Sequence, residues 1–100
     1  MEKGTYVVVR CSGAGVHAGV LVSQSGTEVK LSESRRLWQW RVPMGASQFL
    51  SGVATSGLDY EHSKVGVACD ALLLDACEVI ACTPEATASL RGAPVAERVR

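Results

Sequence analysis

Net charge, long apolar runs, proline and aromatic side chains are all scarce in this chain. Its 100 residues contain no stretch of 18 apolar residues, so no membrane-spanning helix is expected. Ten Lys and Arg side chains balance ten Asp and Glu, which argues against nonspecific nucleic-acid binding driven by net positive charge. One Phe, two Tyr and two Trp leave a small core short of aromatic volume. The first 25 residues lack a basic segment followed by an apolar one, so a cleaved secretion signal is not expected. No two cysteines stand two residues apart, which removes the zinc-knuckle spacing.

What is present is a chain of globular composition, 47% hydrophobic, long enough for one domain. Its neutrality is not uniform. Residues 1–41 carry six basic and three acidic side chains, 42–90 carry one and six, and 91–100 carry three and one. The segments are thus +3, −5 and +2. Such a chain joins oppositely charged parts, within one fold or between copies in a homo-oligomer, or presents one basic face to an anionic partner, or simply has its charges scattered over a solvated surface by folding.

The first half reads as antiparallel β structure. Residues 5–11 are β-branched and aromatic up to the breaker at 12–15. Val16, Ala18, Val20 and Val22 then alternate with His17, Gly19, Leu21 and Ser23, and residues 24–27 make a turn before Val29 and Leu31 resume the alternation. This predicts a hairpin. A separate strand is predicted over 35–42, with Arg36, Trp38, Trp40 and Val42 on one face and Arg35, Leu37, Gln39 and Arg41 on the other. A helix there would set the two Trp about 200° apart.

In the second half, Ala46, Phe49, Leu50 and Val53 have the spacing of one helix face, with Gly52 weakening it and 56–57 closing it. Residues 58–64 form an exposed connector, 65–69 and 78–82 strands, and 71–76 an ambiguous apolar run. Thr83, Pro84 and Glu85 start a helix that runs to about Arg91, where Gly92 and Pro94 stop it. The expected fold is α+β: a small antiparallel β-sheet or partly open barrel with two short helices. It forms a single domain over 1–100, with a compact core at 5–91 and a tail at 92–100, loosely held from Val95.

Few residues carry chemistry. Cys11, Cys69, Cys77 and Cys82 are expected to be reduced, small apolar residues; Cys77 and Cys82 would face opposite sides of one strand, so no metal and no cofactor is expected. Gly13, Gly15 and Gly19 resemble a phosphate loop only superficially, because three residues separate the last two and a strand follows. Gly19 in mid-strand marks a bulge or a close approach by another chain or a ligand. Cys11 and His17 can be drawn as a nucleophile and base, but nothing beyond sequence proximity marks them.

The densest cluster is 35–41, with Arg35, Arg36, Trp38, Trp40 and Arg41. Guanidinium forks and indole faces suit planar anions such as nucleotides, and the same residues mark the centre of protein interfaces. Equally, both Trp could be core residues flanked by exposed Arg.

The segments 6–12, 14–23, 26–31, 34–40 and 77–84 together resemble a family of small bacteriophage-encoded proteins carrying a domain of unknown function. The similarity spans about 5–91, is most specific over 14–40 and departs most over 42–68. The resemblance implies phage origin and a bacterial host cytoplasm, and it carries no catalytic residue. The expectation is therefore a non-enzymatic phage accessory protein. It would inhibit antiviral defence by binding a host defence protein, such as a CRISPR component, or by sequestering a small signalling nucleotide. Its binding face would be Arg35, Arg36, Trp38, Trp40 and Arg41, with Gly13, Gly15, His17 and Gly19 adjacent. The alternative is a virion-associated or assembly protein using the same strand for homo-oligomer contacts.

Overall fold

The computed structural model describes residues 1–96. Six strands form an antiparallel sheet: β1 (Tyr6–Cys11), β2 (Gly15–Ser25), β3 (Glu28–Gln39), β4 (Lys64–Val65), β5 (Cys69–Leu73) and β6 (Ala76–Ala81). The helices are α1 (Leu50–Ser56) and α2 (Pro84–Gly92), with a short 3-10 turn at Tyr60–His62. The order across the sheet is β4-β3-β2-β1-β6, and β5 pairs with the first part of β3. The expected α+β class with a small antiparallel sheet and two short helices is what the chain adopts. No described helix is long and apolar enough to cross a membrane.

The sheet is curled but not closed. Leu74 and Asp75 alone connect β5, beside β3, to β6, beside β1. In a flat sheet four strand spacings would separate these two strands, roughly 19 Å, whereas three residue steps reach roughly 10 Å. The far half of the β2–β3 hairpin therefore folds over β1 and β6. One bond pins its tip to β6, Ala76 N–H to the Thr27 carbonyl at 2.9 Å, and Ser12 N–H to the Asp75 carbonyl at 3.1 Å holds the β5–β6 link against the end of β1.

Folding over divides the interior in two. Val7, Val9 and Cys11 of β1 pack with Leu21, Val29, Leu31 and Leu73 inside the curl. Tyr6 and Val8 pack on the other side with Leu37, Val42, Leu50, Val53 and Leu90 beneath the helices. Alternate residues of β1 thus serve different cores, which is why its apolar run is continuous and not alternating.

The bend is made where β2 and β3 lose register. Ala18 pairs with Arg35 but Val20 with Ser32, so Gly19 meets the extra residues of a bulge. A Cβ at Gly19 would lie 2.9 Å from the Ser32 carbonyl oxygen and 3.0 Å from Ser34 Cα. Of the two expectations for Gly19 the bulge is the one met, the close approach coming from the neighbouring strand and not from another chain or a ligand, and Glu33 in the bulge takes a left-handed φ of 55°.

Several boundaries differ from expectation. The segments 28–31 and 35–42 are one strand, and it stops at Gln39. The strand expected over 65–69 is only Lys64–Val65, and the ambiguous run is strand β5. α1 starts at Leu50, so Ala46 is only half-buried and Phe49 is 79% exposed. Its start is delayed because residues 43–46 form a turn, with Ala46 N–H bonded to the Pro43 carbonyl, and Ser47 folds onto Gly52 where a side chain would collide. Thr83 caps α2, its Oγ1 accepting from Ala86 N–H at 3.1 Å, with Pro84 in the first turn, as expected. Of the expected tail, residues 97–100 lie outside the described part. Ala93 is buried, and Val95 bridges Val65, so the chain is held further than 91.

Gly19→Ala is expected to destabilise the domain by about 1–3 kcal/mol through overpacking against the β3 backbone. Gly13→Ala meets open space and should stay within about 0.5 kcal/mol. Urea unfolding of both variants checks this, and equal midpoints would remove the bulge from the account.

Candidate functional site

The 35–41 cluster is divided by the fold. Arg35 and Arg36, neighbours in sequence, face opposite sides of β3. Arg35 is only 5% exposed and lies on the helix side. Its Nε donates to the Gly66 carbonyl at 2.8 Å, and its Nη1 donates to the carbonyls of Leu90 at 2.9 Å and Ala93 at 2.7 Å. A fourth, longer bond runs from Nη1 to the Arg91 carbonyl at 3.4 Å. Carbonyls at a helix C-terminus lack intrahelical donors and carry partial negative charge. Arg35 supplies what α2 lacks there, and so departs from the expected binding face.

The two indoles also separate. Since β3 ends at Gln39, alternation stops, and Trp40 packs partly against the helix-side core with Val42. Trp38, still in the strand, remains 50% exposed. Arg41 is exposed, but its backbone is tied to the connector. Its N–H donates to Ser63 Oγ at 3.0 Å, and its carbonyl accepts from Asp59 N–H at 2.7 Å. Gly13 is an exposed turn residue, and Gly19 is buried in the bulge.

Four of the expected residues do come together. His17 is directly opposite Arg36 in the β2–β3 ladder. Gly15, with φ of 83°, lies beneath the Arg36 guanidinium, where a Cβ would be 3.1 Å from Nη2. Trp38 follows Arg36 on the same side of β3, by the two-residue period of the strand. The result is an exposed guanidinium over a glycine floor, a half-exposed indole beside it along the strand, and a half-buried imidazole at its margin.

Nothing in this arrangement activates a nucleophile. His17 Nε2 is 2.8 Å from the Ala14 carbonyl oxygen, which fixes that nitrogen as the N–H donor. Burial first, and then the Arg36 charge, hold its pKa below the ordinary value, against the opposing hydrogen bond to Ala14. Burial and the neighbouring Cys77 and Asp75 push the Cys11 thiol up, away from the thiolate that attack requires. All four cysteines are free, as expected, but Cys69 and Cys77 are exposed and not core residues. Both lie on edge strands that no other strand covers on the far side. Cys82 packs partly under the helices, where burial raises its pKa to about 11.

A second group was not singled out from the sequence. Arg91 Cζ sits 5.2 Å above the Tyr6 ring, and its Nη2 is 3.5 Å from Glu33 Oε2. These residues come from β1, β3 and α2, so no local spacing announces them. Asp59, Glu61 and His62 also gather at the 3-10 turn, where the Asp59 carboxylate accepts from His62 Nδ1 at 2.8 Å and from Glu61 N–H. The His62 bond holds the Asp59 carboxyl below its usual range.

Two outcomes are expected. Arg35→Met should cost at least about 3 kcal/mol, because each buried carbonyl left without a donor costs about 1–3. Arg35→Lys should rescue little, since one ammonium cannot span these carbonyls; chemical denaturation showing wild-type stability in either variant would refute the capping role. His17 has a folded pKa below its unfolded one, so the unfolded state takes up the proton first. Stability is therefore full above about pH 6.5 and falls as pH drops below it. The wild type should lose more Tm between pH 7 and pH 5 than His17→Gln, and identical pH profiles would contradict this.

No curated protein and no solved structure matches the chain. A family model described as a domain of unknown function, DUF6948, matches residues 4–90. The chain belongs to that DUF6948 family.

Proposed function

We propose that this protein works by binding and not by catalysis, and that it engages a protein partner through the face carrying Arg36 and Trp38. The observation that carries this reading is the pairing of one exposed guanidinium with one half-exposed indole on a rigid strand. Arg and Trp are the residue types that concentrate binding energy at interfaces. The neutral, carbonyl-bonded His17 and the raised Cys11 thiol favour binding over nucleophilic chemistry.

The geometry favours a protein over a signalling nucleotide. A nucleotide site is concave and gathers several donors around phosphate. Here Arg35 is committed to α2 and Trp40 to the core, and Arg41 lies beyond the end of β3 beside the 59–63 connector, which leaves one fork and one ring on this face. The partner class, a component of bacterial antiviral defence met in the host cytoplasm, is supplied by the resemblance to phage-encoded proteins.

Affinity capture from host cells with the wild type, Arg36→Glu and Trp38→Ala tests the reading. One host protein retained by the wild type should be lost, by at least about tenfold, in both variants, while their circular dichroism stays unchanged. Equal retention by folded variants would move the site elsewhere. A saturable thermal shift with a cyclic di- or trinucleotide would replace the protein partner with a nucleotide, and recovery of the protein in purified virions would replace it with an assembly role.

A further inference from the structure

The sheet ends on β6, and the bonds of β1 show which main-chain groups face its outer edge. Leu21 N–H donates to the Thr5 carbonyl and Cys82 N–H to the Tyr6 carbonyl, both at 2.9 Å. Odd-numbered residues of β1 therefore bond to β2 and even-numbered ones to β6. With Val8 opposite Ile80 and Arg10 opposite Glu78, Ile80 and Glu78 turn their N–H and C=O groups toward β1. Val79 and Ala81 turn theirs outward, where no strand among the described residues meets them. Cys77 is the extra residue of a bulge, with no partner residue on β1.

This open stretch is bounded at both ends. Ala76 N–H is taken by the Thr27 carbonyl at 2.9 Å. Thr83 N–H and Oγ1 donate to the carbonyls of Ala54 and Thr55 at 2.9 and 2.8 Å, so the end of α1 occupies the edge there. Residues 77–81 lie between, with Val79 at their midpoint. Sheet edges are usually guarded by shortness, charge or proline. β4 has two residues, carries Lys64 and is bridged by Val95, and β5 carries an exposed Asp70. β6 has neither Lys nor Pro, and its one charge, Glu78, is drawn back to Arg10 at 3.6 Å. Cys77 and Ala81 are exposed, while Val79 and Ile80 sit half-buried at the rims of the two cores.

We propose that β6 pairs antiparallel with β6 of a second copy of this chain, about a two-fold axis at Val79. Such an axis requires one surface to complement itself. Here Val79 faces Val79 and exchanges both outward bonds, Ala81 faces Cys77, and Ile80 faces Glu78, so no like charges meet. An axis one residue earlier would set Glu78 against Glu78, which is repulsive. An axis one residue later would drive Cys77 of the second copy onto Thr83, where α1 already sits. A net charge of zero leaves no overall repulsion between copies. Pairing joins the two sheets into one and covers the half-exposed Val79 and Ile80 of both copies.

Sedimentation equilibrium of the full chain from about 5 to 500 µM tests this. A monomer–dimer equilibrium with a Kd of about 10–100 µM is expected, because the interface is small. Ala81→Pro removes an N–H that β1 does not use, so circular dichroism should stay unchanged while the Kd rises at least about tenfold. In Ala81→Cys, oxidation with diamide should join the new thiol to Cys77 of the second copy, giving a covalent dimer with that peptide pair cross-linked. This arm decides the matter if Ala81→Pro loses its fold. A monomer at every concentration, an unchanged Kd in folded Ala81→Pro, or a covalent dimer without the 81–77 link would overturn the pairing.

Discussion

The approach of β2 to β3 at Gly19 is the constraint on which the other features depend. A backbone without a Cβ lets the Ser32 carbonyl come closer than any side chain would allow. The register slips, Glu33 is forced into a left-handed conformation, and the hairpin bends. Once bent, its far half covers β1 and β6, and a two-residue link suffices between β5 and β6. The same bend turns β1 into a strand buried on both faces, with separate cores on either side. A straight hairpin would leave Val7, Val9 and Cys11 facing water.

The charge distribution takes its meaning from this folding. The basic first part and the acidic middle part meet in the Arg10–Glu78 pair at 3.6 Å across β1 and β6. The C-terminal Arg91 meets Glu33. Both pairs are exposed and contribute little to stability, so they indicate how the segments are arranged and not what holds them. The stronger use of charge is Arg35, whose guanidinium is spent on the negative end of α2 and on Gly66. A basic excess counted along the chain therefore overstates the positive surface that the strand presents.

Much of the fold was legible in the sequence because its signals are local. The turn at Gly26–Thr27, the cap and proline at Thr83–Pro84, and the alternation through β2 each depend on residues within a few positions. The joining of 28–31 to 35–39 was not legible, since the bulge that spans the gap depends on Gly19 of another strand. Arg35 was misplaced for a related reason. The alternation set it beside Leu37, on a core-facing side, but its partners are carbonyls 31, 55 and 58 residues away. A cation in the register of a buried Leu is the one local sign that it would be buried and satisfied by backbone. The Trp pair failed through strand length: period-two reasoning holds only while the strand lasts, and β3 ends between Trp38 and Trp40.

The two sides of β3 are joined through a single residue. Arg35 Nε donates to the Gly66 carbonyl, and Gly66 N–H donates to the Arg36 carbonyl at 2.8 Å. Arg36 thus presents its side chain from a backbone held by β2 on one edge and by Gly66 on the other. The position of Gly66 is in turn fixed by the guanidinium that caps α2. An exposed side chain on a backbone fixed from both edges loses less freedom on meeting a partner than one on a mobile loop. That is what a single Arg and a single Trp need if they are to carry recognition on a domain this small.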